Sequence, residues 1–446
     1  MMRLVFSDLR DHAATWIGAL AVAVACGCIG GWVVSLQATA GFSTGALQKF
    51  LQNAASSVLL FSLIAAVAVL VSAANLTVSA QRRSYALWQL ANVRPALVSA
   101  VVLVQLGVVA VLGAACGTLL AAATFEPLFP LVLGSREALA QAVPVADMAR
   151  MPAVWVVTAA VFLCGGLKGA RSAGRTPPLT ALREPEPKRA RVTWLRALLF
   201  AGMLACTCWA SLALTESPDV AMSWSVFVPI LMVATLVPLA PLVFPALLGA
   251  WTSMVPQGRG SAWYLARRIA RHALSSSTSI ETPLMVGFGL VAGLFSAMAC
   301  SVDYLERQGV ADISTIGWAE SFIMLGGPVL LCAVGAAVSV VMSSRSRTRD
   351  VALLVAAGAR PATLMAAAGC EALVHAVTAT LAGMACAVAS TAVVANAFGV
   401  PLLGNLAFGE GLVVSLAGFV LVLAATLVPT WAALNREAAV VLSVGE

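Results

Sequence analysis

Long runs of apolar residues, broken by short charged clusters, set the pattern of this chain. A helix needs about 20 apolar residues to cross a bilayer, and the runs have that length. They predict spans at about 15–37, 54–80, 95–124, 151–168, 197–215, 222–252, 282–301, 321–342, 361–398 and 411–433. A short amphipathic helix over 1–14 precedes the first. The sixth run carries Pro229, Pro238, Pro241 and Pro245. Each proline removes a backbone hydrogen bond, so this span is expected to be kinked or broken, and 220–257 could hold a re-entrant segment.

Composition supports this pattern. The chain is 61% hydrophobic and 10% charged, with mean hydropathy +0.96. Soluble domains carry roughly 25% charged residues, so the chain reads as an all-α polytopic membrane protein. The net charge of +7 is informative through its placement. With both termini cytoplasmic, Lys49, Arg136, Arg150 and Arg307 face the exterior, and every other Lys and Arg among the 26 faces the cytoplasm. That bias follows the positive-inside rule. Arg3 and Arg10 ahead of the uncharged run Ala13–Gln48 read as a retained signal anchor rather than a cleaved signal peptide. The expected location is the cell (cytoplasmic) membrane.

The ten cysteines fall in or beside apolar runs. Cys26/Cys28 and Cys206/Cys208 are two apart, so on a helix they point in nearly opposite directions and chelate one metal poorly. They read as packing residues. The three histidines form no metal site by spacing. There is no G-x-x-x-x-G-K-[ST], so the chain does not hold ATP in a P-loop.

The densest run of charge and proline, Lys168–Arg196, marks an internal boundary. Arg82–Thr124 aligns without gaps onto Thr348–Ser390, matching Arg83 with Arg349, Leu87 with Leu353, Arg94 with Arg360, Pro95 with Pro361 and Gly117 with Gly383. Asn92 falls opposite Gly358, and both residues tolerate the left-handed cap that ends a helix. His12 corresponds to His272, and Pro178–Leu182 parallels Ala438–Leu442. The expected organisation is 4 + 2 + 4: a first four-span repeat over 1–183, a cytoplasmic linker and two inserted spans over 184–260, and a second repeat over 261–446. Both repeats have the same orientation.

Each repeat has a loop of one design between its second and third spans. Arginines at the membrane edge end a long helix, one or two turns expose small and apolar residues, and Arg-Pro starts the next span. A rigid, partly apolar knob suits docking of another protein; a plain positive-inside connector is the other reading. The candidate docking residues are Arg82, Arg83, Leu87, Trp88, Asn92 and Arg94 in the first loop. In the second they are Arg347, Arg349, Asp350, Leu353, Leu354, Gly358 and Arg360.

These residues resemble the FtsX-like permease family, the MacB-type ABC transporter subunits. That family carries R-x-R-(E/D)-x-A-L-L-x-A-x-G-A between two spans and a Glu early in the next. Arg347 through Ala359 fits this pattern, and Glu371 falls at the Glu position. The first copy departs from it with Ser84, Asn92 and Gln105. The resemblance implies two FtsX-like repeats and a cytoplasmic ABC ATPase, two copies per permease, docked on the loops and holding ATP and Mg. It implies a transport subunit that is not itself an enzyme, exporting or extracting a hydrophobic or peptide-like substrate, as in antimicrobial-peptide transport permeases. ATP-driven signalling to an exterior partner is an alternative, and a secondary transporter another. The short exterior loops argue against a large exterior domain of the MacB kind.

Glu371 and His375 lie four apart on one face of span nine and are intramembrane functional suspects. They could relay a proton or contact substrate; a structural hydrogen bond to a neighbouring helix or a loop arginine is the favoured expectation. Glu281, before Pro283, reads as a surface-helix residue.

Overall fold

The computed structural model describes residues 7–10, 12–133, 142–175, 194–256, 260–272, 274–309 and 318–435. Linker residues 176–193, with the segment 178–182 among them, Arg136, Asp312 and the segment 438–442 lie outside the described residues. Among those described, every regular element is helical. Ten helices are long and apolar enough to cross a membrane, as the run pattern predicts. In chain order the helices are α1 (Ala13–Phe42), α2 (Gly45–Ala80), α3 (Arg82–Leu90), α4 (Pro95–Leu133) and α5 (Met151–Arg175). Then come α6 (Trp194–Ala213), α7 (Pro218–Ser225), α8 (Phe227–Leu236), α9 (Ala240–Ser253) and α10 (Ser261–His272). The last are α11 (Leu274–Arg307), α12 (Trp318–Ala356), α13 (Pro361–Phe398) and α14 (Phe408–Leu434).

Several helices run further than the sequence reading expects. Lys49 lies in the opening turns of α2, Glu126 near the end of α4, and Asp303, Glu306 and Arg307 in the last turns of α11. These residues therefore sit on helical extensions, not in exterior loops. Polar residues alone do not end a helix; a cap or a proline is needed. The sixth run is broken as expected. The helix α8 passes through a 3-10 turn, Val237–Leu239, into α9, with Pro238 in the turn and Pro241 in the first turn of α9.

Packing divides the chain into two compact units. The first comprises Met1–Glu186 and Ile316–Met342, the second Pro187–Thr315 and Ser343–Glu446. These limits differ from the boundaries drawn on the sequence. The inserted helices fall in the second unit, and α12 gives its membrane half to the first and its last turns to the second.

In the first unit, α1 packs closely on α4 because their contact is made of small residues. Gly117 lies against the backbone of Val24 and Cys28, so close that a Cβ there would collide with the Val24 carbonyl. Small residues let helix backbones approach within van der Waals contact where lipid offers no hydrophobic drive. The membrane half of α12 joins through Gly335 on Val69 of α2 and Val338 on Gly18 of α1. The α1 and α4 ends distal to α3 are closed by Leu36, Leu51, Phe125 and Phe129. There Trp32 meets Phe125 edge-on and donates to Thr124 at 3.2 Å.

In the second unit, α11 and α13 form the matching contact. Gly383 faces Phe288 and the Met285 carbonyl. The inserted helix α8 packs here too, with Val233 on Gly289 and Pro229 on Gly293. Tyr304 stacks on Phe398, ring centroids 5.0 Å apart, and Asn405 donates to Asp303 at 3.0 Å.

Candidate functional site

The two loops are built alike. In the first unit α3 ends in a left-handed residue, Asn92, at φ 65°; in the second unit α12 ends before Gly358, at φ 88°. The closing hydrogen bonds match one for one. Ala91 N–H donates to Leu87 O, Asn92 to Gln89 O and Val93 to Trp88 O; Ala357 donates to Leu353 O, Gly358 to Val355 O and Ala359 to Leu354 O. Such bonds satisfy the orphan carbonyls of a helix end. The next helices also open identically, with Leu97 and Val98 donating to Arg94 O, and Thr363 and Leu364 to Arg360 O.

Burial repeats as well. Tyr85 and Ala86 are buried, as are Val351 and Ala352. Leu87 and Leu353 are 51% and 48% exposed; Trp88 and Leu354 are half-buried, and Arg94 and Arg360 exposed. Each knob is thus anchored by its first turn and presents a leucine outward. In the second unit the anchor is Val351 with Leu364 and Ala433, joined by Leu265 of α10. In the first unit Tyr85 fills that place, meeting Trp88 edge-on and donating to the Gln81 side chain. Burial, and then the Asp8 carboxylate, push the Tyr85 phenol well above its usual range.

The loops differ in how they are reached. In the first, Gln81 interrupts the chain between α2 and α3. In the second, α12 continues unbroken through Arg345, Arg347, Arg349 and Asp350 to Ala356. In the first loop the long helix ends at Ala80, beside Arg82 and Arg83, as expected. In the second the arginines do not end it, because residues 343–357 lack glycine and proline and nothing stops the helix before Gly358. The side chains of Arg82, Arg83, Arg347, Arg349 and Asp350 lie outside the described residues.

A second cluster sits inside the helices of the second unit. His375 Nδ1 lies 3.0 Å from Glu281 Oε1, and its Nε2 lies 3.7 Å from Glu371 Oε1. All three residues are buried. This corrects the surface reading of Glu281, which faces α13 from the second turn of α11. The imidazole stands between two carboxylates, an arrangement that binds α11 to α13 and can hold a proton but does not converge on a metal. Among the described residues no group of His, Cys, Asp and Glu could hold a metal ion. The ten cysteines are all free thiols.

The corresponding place in the first unit is Gln105, aligned with Glu371. Its Nε2 donates to Asp8 Oδ2 at 2.8 Å, and Asp8 lies 3.1 Å from His12. Sequence reading passed over Asp8 and placed Glu281 on a surface helix. Their only signal was an acidic residue in the first turns beside an apolar run, which a solvent-facing acid shows equally.

Residues 322–438 match the family model described as FtsX-like permease C-terminal. No curated protein and no solved structure matches the chain. The matched segment begins in α12, contains the whole second knob and runs through α13 and α14, so the part of the chain that carries the knob and the Glu371–His375 pair is similar to the C-terminal domain of FtsX-like permeases.

Proposed function

We propose that the chain is the membrane permease subunit of an ABC transporter, coupling ATP hydrolysis by a separate ATPase to export or extraction of a hydrophobic or peptide-like substrate. The observation that carries this reading is the match over 322–438, centred on a knob whose Leu353 is exposed. ATP and Mg belong to the partner, one ATPase subunit for each knob. The matched caps and burial of the two knobs support a duplicated permease. A hydrophobic substrate is favoured by an apolar groove of about 760 Å³ between α4 and α5, lined by Leu103, Val104, Leu112, Leu163 and Leu167. Antimicrobial peptides are amphipathic and suit such a surface.

In this mechanism, closure of the ATPase pair on nucleotide displaces the knobs. The second knob is the end of α12, a spanning helix, so a push at Leu353 acts on that helix directly. The Glu281–His375–Glu371 cluster holds α11 to α13 while the load is applied.

The test is co-purification. The chain is expressed with its candidate ATPase, and Leu353→Asp with Arg349→Asp is expected to release the ATPase while the permease still reaches the membrane. Full transport by the permease with no ATPase present would overturn the reading.

A further inference from the structure

The helix α10 carries three arginines with no acidic residue near them in sequence. From residue 220 to residue 280 the sequence has no Asp or Glu, yet α10 holds Arg267, Arg268 and Arg271. Among the described residues none of the three pairs with a carboxylate. Its apolar side is seated: Ala266 and Ala270 are fully buried, and Trp263 meets Trp251 of α9 at 6.0 Å. The opposite side presents Tyr264, Arg268 and Arg271.

Two of these guanidinium groups are held in place. Arg271 Nη2 donates to Gly249 O at 3.2 Å and to Thr252 Oγ1 at 3.1 Å, at the end of α9. Arg268 lies over the Tyr264 ring, 5.5 Å from its centroid. Burial and the charges of Arg267 and Arg268 pull the Arg271 pKa below its ordinary value, a crowding that an anion relieves. The helix joins the end of one span to the start of the next, so it lies at headgroup depth, with Trp and Tyr as interfacial anchors.

We propose that α10 is a binding site for the phosphate headgroup of an anionic phospholipid, with Arg268 and Arg271 as the phosphate ligands and Arg267 adding field. Fixed guanidinium forks suit phosphate oxygens. The inference needs only that the chain sits in a bilayer, not that it serves a transporter.

The full chain, purified in mild detergent, is titrated with phosphatidylglycerol, phosphatidylcholine or free glycerol phosphate, and bound lipid is counted by native mass spectrometry. Wild type is expected to retain phosphatidylglycerol over phosphatidylcholine, and the preference to weaken about fivefold for each guanidinium removed in Arg268→Gln and Arg268→Gln/Arg271→Gln. Arg268→Lys should keep most of it. Arg268→Gln touches only an exposed side chain, so it serves if the double variant fails to fold. Equal retention of the two lipids, or unchanged retention in Arg268→Gln, overturns the proposal. So does displacement of lipid by an equal concentration of glycerol phosphate, which would mark a soluble-anion site.

Discussion

Glu281 and His375 stand 94 residues apart in the chain and 3.0 Å apart in the structure, both buried within the helices of the second unit. Removing one member of such a pair leaves the other charge without its partner in a medium of low dielectric. Loss of one partner of a buried pair costs about 3–5 kcal/mol. His375→Leu is therefore expected to lower unfolding stability strongly, and Glu281→Leu likewise. The double replacement by leucine should cost clearly less than the sum of the two. A double-mutant cycle by denaturant titration in detergent checks this; additive costs would show that the contact carries no energy.

The knobs should contribute unequally. Leu353 rises from a helix continuous with its span, whereas Leu87 sits on the separate helix α3 beyond the break at Gln81. Leu353→Asp is expected to weaken ATPase binding by about 2 kcal/mol or more, a hot-spot effect, and Leu87→Asp by less. Binding of the partner ATPase to each reconstituted variant measures the difference. Equal losses would mean that the break at Gln81 does not matter mechanically.

The two caps make a local prediction. Gly358 at φ 88° and Asn92 at φ 65° occupy a region that costs an ordinary L residue about 1–2 kcal/mol. Gly358→Val should lower stability by about that amount, whereas Asn92→Gly should be neutral or slightly stabilising. Thermal unfolding followed by circular dichroism separates the two.

A tighter constraint acts at Gly117, whose missing Cβ lets the Val24 carbonyl approach. Gly117→Ala forces α1 and α4 apart, and overpacking of this kind costs about 1–3 kcal/mol. Gly202, by contrast, has open space around it. Gly202→Ala, inside α6, is a control that should be neutral or stabilising by up to about 1 kcal/mol in the same assay.

Much of this architecture was legible in the residues. The apolar runs named all ten spanning helices because each run must supply its own backbone hydrogen bonds in lipid, which leaves helix as the form available. Asn92 and Gly358 announced their left-handed caps, and Pro95 and Pro361 the starts that follow, because these are effects of one residue on its own backbone. The candidate site was partly legible. Leu87 and Leu353 are exposed as expected, and Glu371 meets His375 because four residues on a helix bring side chains to one face.

What sequence alone could not settle depends on partners far away in the chain. Glu281 reads as a surface-helix residue, and only the packing of α11 on α13 buries it beside His375. Asp8 looks like a surface acid until Gln105, in another helix, supplies its donor. Nor does any residue of α12 announce that its membrane half packs with the first unit while its last turns pack with the second. Local conformation is set by each residue's own backbone and so can be read in order along the chain. Burial of charge and choice of neighbouring helix are set by complementary surfaces, and those exist only after the helices have met.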